Sequence, residues 1–217
     1  MSGLYALALL LATTSPALAR SGGGGVAGKC PRVTRHIVTA DSQAEIFEAS
    51  SYVFGCAYGH TKAYRLGSPL ECGAPVCFGV KHELLAGSVV AYESFFTSEG
   101  VGRWYVVVRD LRNGRMLRNV PTGIPLKHQP ENAGVGPVVG LVVKPNGSVA
   151  WIAEDFERST PTTSTSEEAR YYDVYASDKS GTHLLASGLN VSPSSLALAG
   201  STVYWTQGGK PESAVLN

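Results

Sequence analysis

LALAGSTVYWTQGG (196–209) repeats a phrase met twice earlier in the chain, as LLAGSVVAYES (84–94) and as VVKPNGSVAWIAE (142–154). Each copy has an apolar run, a Gly-Ser step, an alternation of apolar residues with an aromatic, and a polar residue at its end. The residues after the step are mostly β-branched or aromatic, which suits a pleated, half-buried backbone. The step falls where a tight turn is needed, because glycine accepts positive φ at no steric cost. Asn146-Gly147 is the strongest short-range hairpin signal. Each phrase therefore reads as two strands around a turn: LLA-GS-VVAYE, GLVVK-PNG-SVAWIA and SLALA-GS-TVYWT.

A second phrase follows the first. RWYVVVRDLRNGRMLRN (103–119) and ARYYDVYASDKSGTHLLAS (169–187) are each a strand, a polar turn ending in glycine, and another strand, with Gly114 and Gly181 in the same place. SYVFGCAYGHTKAYRLG (51–67), with Gly59 opening its turn, reads as an earlier copy. The unit is thus a four-stranded meander. Loops inserted at 121–137, rich in Pro and Gly, and at 159–168, rich in Ser and Thr, make its spacing uneven. No helical period of 3.6 occurs outside the N-terminal segment.

Repeated four-stranded sheets at periods of about 40–50 residues point to sheets that bury their faces on one another. The expected fold is all-β: a small or incomplete β-propeller of about four four-stranded antiparallel blades, with a β-sandwich or an open curled meander as alternatives. The blades fall at residues 38–78, 79–123, 138–189 and 190–217. The last holds one hairpin and SAVLN, the start of another strand. Residues 35–40 are the candidate strand to complete it and close the ring. An incomplete blade leaves an edge strand, so an edge-mediated homodimer is expected. A further reading takes the chain as a fragment or diverged copy of a larger propeller.

The GSTVYWT and DLRNGRML style of phrase resembles secreted β-propeller-like proteins of the WD-repeat, YVTN and TolB-type group, over roughly residues 38–217. The chain has neither a Trp-Asp blade dipeptide nor a YVTN tetrapeptide. The resemblance implies a propeller-like repeat domain and carries no set of catalytic residues.

Length and composition bound the partners. The chain has 217 residues, 44% apolar and 16% charged, with a formal net charge of +1. A near-neutral chain offers no global field for nucleic acid or an anionic membrane, and no nucleic-acid partner is expected. LYALALLLA (4–12) followed by Ala17-Leu18-Ala19 reads as a signal peptide over residues 1–19, although its MSG start lacks Lys and Arg. The apolar run is shorter than the roughly 20 residues a spanning helix needs, which argues against an uncleaved anchor. A lipoprotein reading at Cys30 fails on spacing, since Lys29 precedes it and a glycine run separates it from the apolar segment. Residues 20–34 read as a Gly-rich linker and 35–217 as the repeat domain. The mature chain is expected to be secreted or in the cell envelope after cleavage near Ala19, with no transmembrane segment.

Cys30, Cys56, Cys72 and Cys77 are an even set in a chain read as exported, which suggests two disulfides of open connectivity. The competing reading is a four-cysteine zinc site, for which Cys72 and Cys77 have loose ligand spacing but Cys30 and Cys56 do not.

No nucleophile elbow, zinc-protease motif, P-loop or dinucleotide fingerprint is present. His36, His60, His82, His128 and His183 stand apart from one another, so neither a metal nor a cofactor is expected. Glu154, Asp155 and Glu157 cluster after a strand, where a calcium site, a glycosidase carboxylate pair or a plain solvated hairpin end are the readings. Arg103, Arg109, Arg112 and Arg115 suggest either a basic rim for a polyanionic polymer or an edge charged against unwanted pairing. Asn146 and Asn190 head glycosylation tripeptides, the second weakened by Pro193.

Two functions follow. The first is a secreted, non-catalytic propeller-like binding or interaction scaffold for a protein or a cell-envelope polymer. The second is a secreted propeller-fold glycan-acting hydrolase or lyase with its acids around residues 154–157. An enzyme requires polar residues from several blades around one pocket; a scaffold shows apolar packing there and an exposed aromatic or basic patch elsewhere.

Overall fold

Among the described residues four antiparallel sheets follow one another, each a meander whose spatial order is its chain order. The structure is a computed structural model and describes residues 30, 34–99, 101–123, 136–160 and 169–217. The expected signal peptide, nearly all of the linker, His128 and most of both inserted loops lie outside the described residues. The first sheet is β1 (His36–Ala40), β2 (Ala44–Ala49), β3 (Tyr52–Ala57) and β4 (Tyr64–Gly67). The second is β5 (Glu71–Gly73), β6 (Val76–Ala86), β7 (Val89–Ser98), β8 (Val101–Asp110) and β9 (Met116–Pro121). The third is β10 (Val138–Val143), β11 (Val149–Thr160), β12 (Ala169–Asp178) and β13 (Gly181–Gly188). The fourth is β14 (Ala197–Ala199), β15 (Thr202–Gln207) and β16 (Lys210–Val215).

The central strands open on uninterrupted apolar runs, VVAY in β7 and VAWIA in β11, because these stretches are buried on both faces. Along β7, Val90 and Tyr92 pack with Ile46, Val53 and Leu66 of the first sheet. Val89 and Ala91, on the other face, pack with Leu141, Val149 and Trp151 of the third. The same division recurs in β11: Val149, Trp151 and Ala153 look back to the second sheet, and Ala150 and Ile152 meet Val203, Trp205 and Leu216 of the fourth. The sheets are thus stacked in series. Trp151 is fully buried, stacks on Tyr175, and donates from Nε1 to the Thr122 carbonyl at 2.7 Å. The buried indole therefore carries no unmet donor.

The first-hairpin turns tie each sheet to its neighbour. Asp41 Oδ1 accepts the N–H groups of Gln43 and Ala44, and its Oδ2 accepts that of Gly87 in the second sheet at 3.0 Å. Arg118 Nε donates to the Gly147 carbonyl, joining the second and third sheets. Lys144 Nζ donates to Ser201 Oγ and the Leu216 carbonyl, joining the third and fourth. Gly87, Gly147 and Gly200, the glycines of the repeated step, all have positive φ.

The outer face of the first sheet is covered. There the Cys30–Cys56 disulfide lies with Phe47, which stacks on Phe54 and lies beneath the Arg35 guanidinium. The outer face of the fourth sheet instead exposes Tyr204 and Val215.

Several expectations are corrected. Among the described residues the second sheet has five strands rather than four, the first and third have four, and the last has three, the hairpin and further strand expected of it. The β5–β6 hairpin, placed at the end of the first repeat, opens the second sheet. Residues 35–40 do not complete the fourth sheet: β1 pairs with β2 across the Asp41 turn. That hairpin closes a loop of a few residues, and pairing with the far end of the chain carries a larger loop entropy. The zinc reading fails, because Cys30 bonds Cys56 and Cys72 bonds Cys77.

Candidate functional site

Glu154 and Asp155 are buried, not solvated. Asp155 Oδ2 accepts from Arg158 Nε at 2.7 Å, and Arg158 Nη2 reaches both carboxylate oxygens of Asp173 at 2.8 and 2.7 Å. Arg158 also donates to Ser187 Oγ and lies over the Tyr171 ring, and Tyr175 donates its hydroxyl to Asp173. Glu154 pairs with Arg170 at 3.4 Å. The side chain of Glu157 lies outside the described residues. A glycosidase needs about 5–9 Å of open space between two carboxylates. Here a guanidinium fills the space between Asp155 and Asp173. The arrangement clamps β11 to β12 where their register breaks after Asp155.

The arginines do not form one rim. β8 pairs with β7 in unbroken register, so Arg103 and Arg109 share a face. Arg109 is half-buried and hydrogen-bonded to the Tyr92 side chain, whereas Arg103 is exposed. Arg112 grips Asp110 through Nε and Nη2, and this pairing holds the Asp110 carboxyl below its ordinary range. Arg115 is exposed on the same turn. Arg103 lies about 30 Å of strand from that turn, at about 3.3 Å per residue.

What the sequence reading missed is an overhang. β6, β7 and β8 have 11, 10 and 10 residues, against 6 in β2 and in β3. The far half of the second sheet therefore projects past the first. Register places Glu71 opposite Phe78, Phe78 opposite Phe96, and Phe96 opposite Arg103. Residues opposite one another in an antiparallel sheet share a face. Phe96 is 50% exposed, Phe78 36%, and the neighbouring Leu70 51%. Gly79 lets the backbone of Pro69 and Leu70 pass close to β6: a Cβ there would lie 2.8 Å from the Pro69 carbonyl oxygen and 2.9 Å from Leu70 Cα. The Cys72–Cys77 disulfide staples the edge hairpin of the overhang. On its opposite face Trp104 meets Phe156 edge-on. The available signal was length, since VVAYESFFTS (89–98) continues its strand composition past the end of the repeated phrase.

A second feature lies between the second and third sheets. Glu93 is fully buried, and its Oε1 accepts the Val138 N–H at 3.2 Å. Its Oε2 has no hydrogen-bond partner among the described residues and stands 3.7 Å from His82 Nε2. Burial raises the Glu93 carboxyl to about 7, against the lowering effects of the Val138 N–H and Lys81. Burial, then Lys81, lowers the His82 imidazole. Both shifts oppose charge, so burial disfavours an ion pair between the two groups. His82 has φ of 55° at a register break in β6, a strained conformation for a non-glycine residue.

Of the depressions on the described surface, one is bordered by Arg35, His36, Glu48, Ser50, Ser51 and Pro69, and another by Gln43, Tyr58, His60, Ser88 and Arg112. Neither includes Glu93, Glu154 or Asp155. No group of three or more His, Cys, Asp or Glu among these residues is placed to hold a metal ion. No helix among them is long and apolar enough to cross a membrane. Comparison of the chain with known protein families, with curated proteins and with solved structures gave no match.

Proposed function

We propose that this chain is a secreted, non-catalytic, propeller-like scaffold that presents the overhang of its second sheet to a protein partner. The observation that carries this reading is the exposed row of Phe78 and Phe96 on a disulfide-stapled projection. Large aromatics at a surface mark interaction sites when they cluster. An exposed aromatic row suits an apolar protein surface. Two disulfides fit an oxidising compartment. The propeller reading is supported by the serial stack and by contacts near the start of each sheet: β6, the second strand of its sheet, packs against β1 and β10, and β10 packs against β14. The hydrolase reading is weakened by the ion pairs that occupy Glu154 and Asp155.

The test is the double variant Phe78→Ser/Phe96→Ser. A row kept for binding contributes little to the fold, so urea unfolding of the variant is expected to match the wild type within about 0.5 kcal/mol. Binding of an apolar fluorescent dye is expected to fall. A stability loss well beyond that makes the row structural and sinks the reading. So does turnover of chromogenic glycosides that Glu154→Gln or Glu93→Gln abolishes.

A further inference from the structure

The row across the overhang is self-complementary. Its order is Glu71, Phe78, Phe96, Arg103, one residue from each of β5, β6, β7 and β8. All four are exposed, and neither Glu71 nor Arg103 has an ion pair among the described residues. A two-fold axis parallel to the strands and midway between β6 and β7 reverses this order and turns the face over. The overhang of a second copy then sets its Arg103 over Glu71, its Phe96 over Phe78, its Phe78 over Phe96, and its Glu71 over Arg103. This is the pattern of an isologous interface, in which residue i meets j and j meets i. An unrelated apolar face does not require opposite charges at the two ends of the same row.

We propose that the protein partner of this face is a second copy of the chain, docked overhang to overhang about that axis. The proposal rests on the scaffold reading and names the partner of the same face. It replaces edge pairing with face-to-face pairing. Two sheets packed this way lie about 10 Å apart, the depth that aromatic side chains from both faces fill. The overhang is four strands wide and about five residues long, on the order of 320 Å² per partner at ~4.8 Å by ~3.3 Å per residue. Standard interfaces bury about 800 Å² per partner, so the dimer is weak and forms at high concentration.

The experiment is sedimentation of the full mature chain across a concentration series, with charge reversals at the ends of the row. The wild type is expected to pass from monomer to dimer. Glu71→Arg alone and Arg103→Glu alone each place like charges together twice by symmetry, and each is expected to weaken the dimer at least about tenfold. An equimolar mixture of the two single variants meets with opposite charges at both ends and is expected to recover a heterodimer. The double reversal, E71R with R103E, is expected to dimerise like the wild type. Thermal unfolding of every variant checks that the fold is intact. A wild type that stays monomeric throughout overturns the proposal, as does a dimer indifferent to the single reversals or a double reversal that does not recover. Those outcomes leave the scaffold reading standing, whereas destabilisation by the phenylalanine replacements or turnover dependent on Glu154 or Glu93 removes that reading first.

Discussion

The carboxylate of Asp178 accepts the backbone N–H of Asn217 at 3.0 Å, so the second-hairpin turn of the third sheet holds the residues that follow the last strand of the fourth. Its other oxygen accepts the N–H and hydroxyl of Ser180. Burial opposes the charge on Asp178, but these hydrogen bonds outweigh it and hold the carboxyl at about 2, below its ordinary 3.8. A depressed carboxyl stabilises the fold above the unfolded value and loses that stability as pH falls through the folded value. Asp178→Ala is expected to cost about 1–3 kcal/mol at neutral pH. The difference from the wild type should shrink between 3.8 and about 2 in urea titrations. A difference that stays constant across that window would place the role of Asp178 elsewhere.

Glu93 predicts the opposite slope. Its carboxyl is raised from 4.5 to about 7, so its contribution is full below 4.5 and is lost as pH rises through about 7. Glu93→Gln keeps an acceptor for the Val138 N–H and removes the charge. The variant should show a flatter stability profile over this range and exceed the wild type by on the order of 3 kcal/mol at about pH 8. A Glu93→Gln protein less stable than the wild type at that pH would mean that the buried carboxylate is welcome in its site.

The two disulfides differ in the loop they close. Cys30–Cys56 spans 26 residues and Cys72–Cys77 spans 5. On the chain-entropy account these are worth about 3.5 and about 2 kcal/mol. Paired serine replacements, C30S/C56S and C72S/C77S, followed by denaturant unfolding, should rank in that order. The first pair also helps cover Phe47, so the gap should widen rather than close.

Much of this stack is written in the Gly-Ser phrases. Their period-2 residues divide between two cores in β7 and β11, and turn glycines such as Gly87 and Gly147 adopt the expected positive φ. The strand counts were less legible, because β5 is three residues long and pairs through a local hairpin. Ring closure by residues 35–40 was read from a need of the far sheet, whereas the Asp41 turn decides the partner of β1 locally.

The candidate site was less legible than the fold. Arg103 was singled out from sequence, but its row-mates Glu71, Phe78 and Phe96 come from three other strands and meet it only through register. Glu93 and His82 are eleven positions apart and look unrelated in one dimension; a bulge between Lys81 and Leu84 brings them together. The acids at 154 and 155 were legible as a cluster, but their neutralising partners Arg158 and Arg170 were not.

The serial stacking of sheets is the claim on which the rest depends, and Gly55 with Leu111 tests it most directly. Gly55 lies in β3 of the first sheet, and a Cβ there would stand 2.6 Å from Leu111 Cδ2 of the second. Gly55→Ala alone is expected to cost about 1–3 kcal/mol by overpacking, and Leu111→Ala alone about 2–5 kcal/mol by leaving a cavity. With both changes the new methyl group enters the space the leucine leaves, so the double variant should fall short of the sum by about 1 kcal/mol or more. Costs that add to within about 0.5 kcal/mol would mean that the two residues do not touch, and would contradict the packing of the first sheet on the second.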